Sequence, residues 1–234
     1  MTQAALHREL QALANPAQAQ IQQRFFKTGP GQYGAGDRFL GLRVPQVRAL
    51  VRKYRALDRH AAQALLASPW HEERLAALLL WVEAFRHGTR QEQQAIYRAY
   101  LRHTARINNW DLVDSSAEHI VGAWLYDKPR TPLYKLAASS SLWERRIAII
   151  ATFHYIKRGE FADTLALAAQ LLDDAHDLIH KAVGWMLREV GKRDRKLMEA
   201  FLQQHYGAMP RTMLRYAIEK LPERRRRQYL AGTL

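Results

Sequence analysis

The chain has 234 residues, 48% of them hydrophobic, enough for one large core or a continuous repeat core. Lys and Arg total 36 against 22 for Asp and Glu, a formal net charge of +14, which favours a polyanionic partner: nucleic acid first, an acidic membrane surface second. There is no cysteine, so disulfides, zinc–thiolate sites, iron–sulfur clusters and cysteine nucleophiles are excluded.

Apolar residues recur at spacings of three and four almost throughout, and breakers fall between the segments. The pattern predicts helices near 2–13, 17–27, 45–54, 60–67, 72–86, 90–103, 109–125, 131–138, 143–157, 161–171, 177–191, 194–204, 210–220 and 223–230. No stretch alternates as a strand does. The start, Met1-Thr2-Gln3-Ala4-Ala5-Leu6-His7-Arg8-Glu9, lacks the apolar core of a signal peptide, and no apolar run is long enough to span a bilayer. The expected location is the cytoplasm, on the nucleoid when DNA is bound. The one Gly-rich segment, 28–41, lacks the Gly-Lys-Ser/Thr of a phosphate loop, so a flexible connection is expected there. Pro45 then suits the first position of the next helix. From about residue 60, helices come in pairs that recur roughly every 35 residues, inside the range of helical-repeat units. The expected architecture is all-α: an α-solenoid of HEAT-like antiparallel helix pairs, one domain over 1–234.

In the 109–125 segment, Asn108 or Asn109 suits the cap and Asp111 the positive first turn. With Trp110 set to zero on a helical wheel, Val113, Ala117, Val121 and Trp124 fall within about 60° and Asp114 at about 40°. Asp114 is therefore a carboxylate on or beside an apolar face, next to an indole. Such a group needs a partner, a shifted pKa or a chemical task.

In the 143–157 segment, Ile150 and Phe153 lie within about 40° of Arg146, so Arg146 points into a largely apolar face. A guanidinium there wants a carboxylate, such as Asp114 or another acid, or a phosphate, and the two can coexist. In the 177–191 segment, Trp185 sits at the edge of the apolar face between Lys181 and Arg188. It can pack under those stems or form a stacking platform beside a phosphate strip. His176-Asp177-Leu178-Ile179-His180 has metalloprotease-like His spacing but Asp in place of Glu, and a solvated helix start capped by Asp174 is expected instead. The run Arg224-Arg225-Arg226-Arg227 suits a solvated face or a nucleic-acid contact equally.

Three segments together resemble the AlkD-like DNA alkylation repair family: Asn109-Trp110-Asp111-Leu112-Val113-Asp114-Ser115, Trp143-Glu144-Arg145-Arg146-Ile147-Ala148-Ile149, and Lys181-Ala182-Val183-Gly184-Trp185-Met186-Leu187-Arg188-Glu189. The resemblance implies a right-curved stack of HEAT-like pairs with a basic concave surface that binds double-stranded DNA. It implies a DNA glycosylase that removes N3- and N7-alkylated purines without a metal or cofactor, as a monomer. By motif, Asp114 matches the catalytic carboxylate, Trp110 and Trp185 the aromatic walls, and Arg146 the arginine of the cleft. Lys181 and Arg188 are expected on the DNA backbone, and Trp110, Asp114, Arg146 and Trp185 are expected to converge on one concave cleft. The Gly-rich insert near 28–41 looks longer than in the family prototype, which bears on any contribution from Phe25 or Phe26. The competing expectation is a non-catalytic helical-repeat scaffold that binds nucleic acid or an acidic protein, with Asp114 serving only as an ion-pair partner of Arg146.

Overall fold

A computed structural model describes residues 1–233, and packing divides the chain into two compact units, Met1–Ile120 and Val121 onward. The first unit carries α1 (Gln3–Ala12), α2 (Pro16–Phe25), α3 (Val44–Lys53), α4 (Arg59–Leu66), α5 (His71–His87), α6 (Arg90–Arg102) and α7 (Trp110–Asp114). The second carries α8 (Ala123–Leu125), α9 (Thr131–Ala137), α10 (Leu142–Ala151), α11 (Phe153–Ile156), α12 (Ala162–Gln170), α13 (Asp177–Gly191), α14 (Arg195–His205), α15 (Arg211–Ala217) and α16 (Glu223–Ala231). Among the described residues the chain is all-α, and an isolated bridge between Arg38 and Trp70 is its one sheet-like pairing. No helix among them is long and apolar enough to cross a membrane.

The helix starts follow the capping rules. Thr2, Asn15, Asp58 and Thr89 each accept a first-turn N–H, and Glu92 closes a reciprocal box with Thr89. Within the first unit, α5 packs on α4, α3, α6, α1 and α7; within the second, α13 packs on α15, α10, α14, α12 and α11. Neighbouring helices thus associate as the pairs from which α-solenoids are built. Gly184 of α13 lies where a Cβ would come 2.5 Å from the Met213 carbonyl oxygen of α15, so this close approach requires glycine.

Two long helices expected from periodicity are interrupted. The 109–125 segment ends its first helix at Asp114, and a π turn (Glu118–Gly122) precedes α8. The cause is local. Ser115 Oγ donates to the Asp111 carbonyl at 2.7 Å and Ser116 Oγ to that of Leu112 at 2.6 Å, competing with the helix's own ladder. In the 143–157 segment, Thr152 Oγ1 donates to the Ile149 carbonyl at 2.7 Å, and α10 gives way to α11 there.

The Gly-rich segment is anchored at its end. The N–H groups of Leu40, Gly41 and Leu42 donate to the buried Glu72 carboxylate at 2.9, 2.8 and 3.1 Å. Gly41 adopts φ +90°, and a Cβ there would lie 2.1 Å from the Asn15 carbonyl oxygen. Three backbone donors on one buried carboxylate hold the end of the segment against α5, an anchor that glycine content alone does not reveal.

Candidate active site

Helix α5 is apolar on nearly every face from Leu75 to Val82, so its first turn is drawn into the interior with it. That turn reads His71-Glu72-Glu73-Arg74, and all four residues are buried. Each must therefore be paired. Glu73 receives His7 Nδ1 at 2.7 Å and Gln11 Nε2 at 3.0 Å, both from α1. Arg74 donates to Asp37 Oδ1 at 2.6 Å and to the carbonyls of Ser68 and Pro69. His71 stands between two carboxylates, with Nδ1 3.3 Å from Asp37 Oδ2 and Nε2 2.7 Å from Asp111 Oδ2. Burial pushes the His71 pKa down, but Asp111 and Asp37 outweigh it and raise it to about 9. Burial raises that of Asp37, and His71, Arg74 and Asn109 more than reverse this, leaving it below the ordinary carboxylate value.

This cluster carries α7. Asn108 Nδ2 and Asn109 Nδ2 each reach Asp37 at 3.3 Å, and Asn109 Oδ1 accepts the Trp110 N–H at 2.9 Å. Of the two asparagines that suit the cap, Asn109 is the one that takes it, and Asp111 Oδ1 also accepts the Leu112 N–H at 2.9 Å. Asp111 does more than serve the helix start, however, because its other oxygen is a counter-ion of a buried imidazole. The sequence signal for this cluster lies in four consecutive polar residues opening a helix that is otherwise apolar all round.

Trp110 and Asp114 occupy the first and last positions of α7, and both side chains are half-buried. The indole stacks on Phe26 at 5.2 Å and meets Phe25 edge-on at 5.9 Å. Phe26 stacks in turn on Phe39 at 4.9 Å, and Phe39 on His71 at 4.5 Å. Phe25, at the end of α2, remains 63% exposed, so the aromatic wall has an accessible edge. Asp114 lies near enough to Tyr100 that, after burial, its charge helps to push the phenol's pKa up; the Tyr100 hydroxyl also contacts Ser116 Oγ at 2.9 Å.

Ser115, the residue after Asp114, and His119 line an open groove of the first unit, about 370 Å³ in volume, together with Arg48, Arg52, Arg55 and Arg86, with Glu83 as its acid. These arginines lie on α3, just after it and at the end of α5, and all four are exposed. Sequence reasoning missed them because they are spread over two segments that show no motif.

In the second unit, Arg146 of α10 is buried and donates through Nη1 to the Leu178 carbonyl in the first turn of α13. Its neighbour Arg145 pairs with Asp174 at 2.5 Å. Trp185 is half-buried and lies 5.8 Å from Phe153, over which Lys157 sits at 4.2 Å and Arg193 at 6.0 Å. Lys181 pairs with Asp177 at 2.7 Å, and Arg188 with Glu219. His176 caps α13 through Nδ1, with Asp174 instead accepting the His176 N–H, and His180 Nε2 faces the Asp174 carbonyl. In the basic run, Arg225 pairs with Glu199 at 3.2 Å and Arg227 with Glu223 at 2.9 Å.

A carboxylate four residues from an indole on one short helix, an arginine-lined groove and an all-α frame of helix pairs define a helical-repeat protein. The chain matches the model of the family described as "DNA alkylation repair enzyme" over residues 6–221, and it belongs to that family. A predicted DNA alkylation repair enzyme from Enterococcus faecalis has a similar structure, with TM-score 0.70, 17% identity, and coverage of 90% of this chain and 97% of that one. A crystal structure of smu.31 from Streptococcus mutans UA159 is similar at TM-score 0.55, with 16% identity and coverage of 92% and 95%. At these identities the likeness speaks for the fold. No curated protein matches the chain.

Proposed function

We propose that the protein is a DNA glycosylase that hydrolyses the N-glycosidic bond of N3- or N7-alkylated purines in double-stranded DNA. The observation that carries this reading is the half-buried Asp114 carboxylate, four residues from the Trp110 indole on α7 and followed at once by Ser115 of the arginine-lined groove, in a member of a DNA alkylation repair family. An N3- or N7-alkylated purine is cationic, so the bond to C1′ is already weakened and the base leaves neutral, without protonation by a general acid. The bonding pair departs with the purine, water adds to C1′, and its proton passes to solvent. The protein's task is to stabilise the oxocarbenium-like sugar and orient that water, which one ionised carboxylate can do.

In this reading Asp114 is the catalytic carboxylate. Trp110 and Trp185 contact the cationic nucleotide through their π faces. Arg146, Lys181 and Arg188 serve the DNA backbone together with Arg48, Arg52, Arg55 and Arg86. Lys181 and Arg188 would exchange carboxylate partners for phosphates, one anionic partner replacing another. The whole of 1–234 acts as one repeat domain, a monomer on its duplex in the cytoplasm.

The test is incubation with duplex DNA carrying N3-methyladenine and N7-methylguanine, followed by chromatography of free base. Free methylated purine and matching abasic sites are expected. Tight DNA binding with no base released would replace the glycosylase with a non-catalytic nucleic-acid scaffold.

A further inference from the structure

Both ring nitrogens of His71 face carboxylate oxygens, Asp37 Oδ2 at 3.3 Å and Asp111 Oδ2 at 2.7 Å. Ionised carboxylates only accept, and a neutral imidazole has one N–H to give, so two such contacts call for the doubly protonated ring. With Arg74 on Asp37 at 2.6 Å, the buried cluster holds two cations and two anions and closes at zero net charge. Its members come from three separate parts of the first unit: Asp37 from the 28–42 loop, His71 and Arg74 from α5, and Asp111 from α7. The same ring stacks on Phe39 and lies 5.1 Å from Phe26, the residue on which Trp110 stacks. His71 thus reaches α7 by two routes, a charged contact to Asp111 and an aromatic stack to Trp110.

We propose that His71 is a positioning residue: as a buried imidazolium it ties the 28–42 loop to the first turn of α7 and so fixes how Trp110 and Asp114 are presented to the damaged nucleotide. The proposal rests on the glycosylase reading for its consequence, but not for its geometry. The charged groups that face the ring are Asp111 from α7, Asp37 from the loop and Arg74 from α5 itself. Loss of the ring proton leaves one anion in excess in the interior, and either Asp37 or Asp111 must let go. The presentation is therefore intact below the ordinary histidine pKa near 6.5 and is lost as pH rises through about 9.

Two measurements on the full chain test this. In the first, NMR follows the His71 ring and the Trp110 indole N–H of the wild type from pH 6 to 10.5. The two signals are expected to move along one curve centred near 9; a Trp110 signal that stays flat while His71 titrates overturns the proposal. In the second, single-turnover base release compares wild type with His71→Gln. The variant is expected to lose on the order of 10–10² in rate with DNA affinity changed less than about threefold, as misplacement of a reacting group does. It should also lose the alkaline decline shown by the wild type. A variant with wild-type rate and the same alkaline decline overturns it. If the wild type releases no base, the glycosylase reading has failed and the NMR titration alone decides the question of His71.

Discussion

At the scale of single residues, α7 bears two acids with different tasks. Asp114 stands at its far end, next in the chain to Ser115 of the arginine-lined groove, whereas Asp111 is spent on the buried His71. Periodicity places both on the helix, and residue type narrowed the cap to Asn108 or Asn109, of which Asn109 takes it. The partner of Asp111 was not, because His71 lies 40 residues away. Spacing within one helix says nothing about what another helix sets against it. The distinction has a measurable consequence. Asp111→Asn removes one counter-ion from a buried cation and should lower unfolding stability by about 3 kcal/mol, the usual cost of breaking a buried pair from one side. Urea unfolding of Asp111→Asn and Asp114→Asn side by side should show the loss only in the former. Equal stabilities would mean that His71 finds its charge balance without Asp111.

At the scale of elements, the helices between residues 1 and 233 were mostly legible, because capping residues, prolines and three–four periodicity agree at nearly every segment. The two misreadings share one cause. Hydroxyl side chains at Ser115, Ser116 and Thr152 donate back to carbonyls three or four residues earlier and stop the helix, although the apolar period runs on. The anchor of the 28–42 loop was not legible for a different reason. That anchor, Glu72, belongs to the first turn of α5, and glycine content reports the freedom of a chain without its anchors. Glu72→Gln keeps the size but weakens charge-assisted bonds to three N–H groups, and it should cost about 2–3 kcal/mol. Limited proteolysis should then cut first within 28–42. A variant with unchanged urea midpoint and an intact loop would show that Gly41 and its packing hold the segment unaided.

At the scale of the whole molecule, the net charge of +14 foretold a polyanionic partner, and family membership makes DNA the substrate in question. The arginines of the groove were invisible to motif reading, because a groove collects residues from α3, α5 and the turn after α7 that no linear pattern links. Counterion release makes this part of the account testable without chemistry. Affinity for an undamaged duplex should fall steeply between low and physiological salt. Replacing Arg48 and Arg52 together with Ala should reduce the log–log slope by about 2, with little dependence on sequence. A flat salt response would point to an acidic protein as the partner.

The central claim is that one carboxylate, Asp114, carries out the bond cleavage, and single-turnover release of methylated purine by wild type and Asp114→Asn tests it most directly. The amide is nearly isosteric but cannot offset a developing positive charge, so the rate should fall on the order of 10²–10³ with fold and DNA affinity retained. A variant that releases base at the wild-type rate would contradict the account.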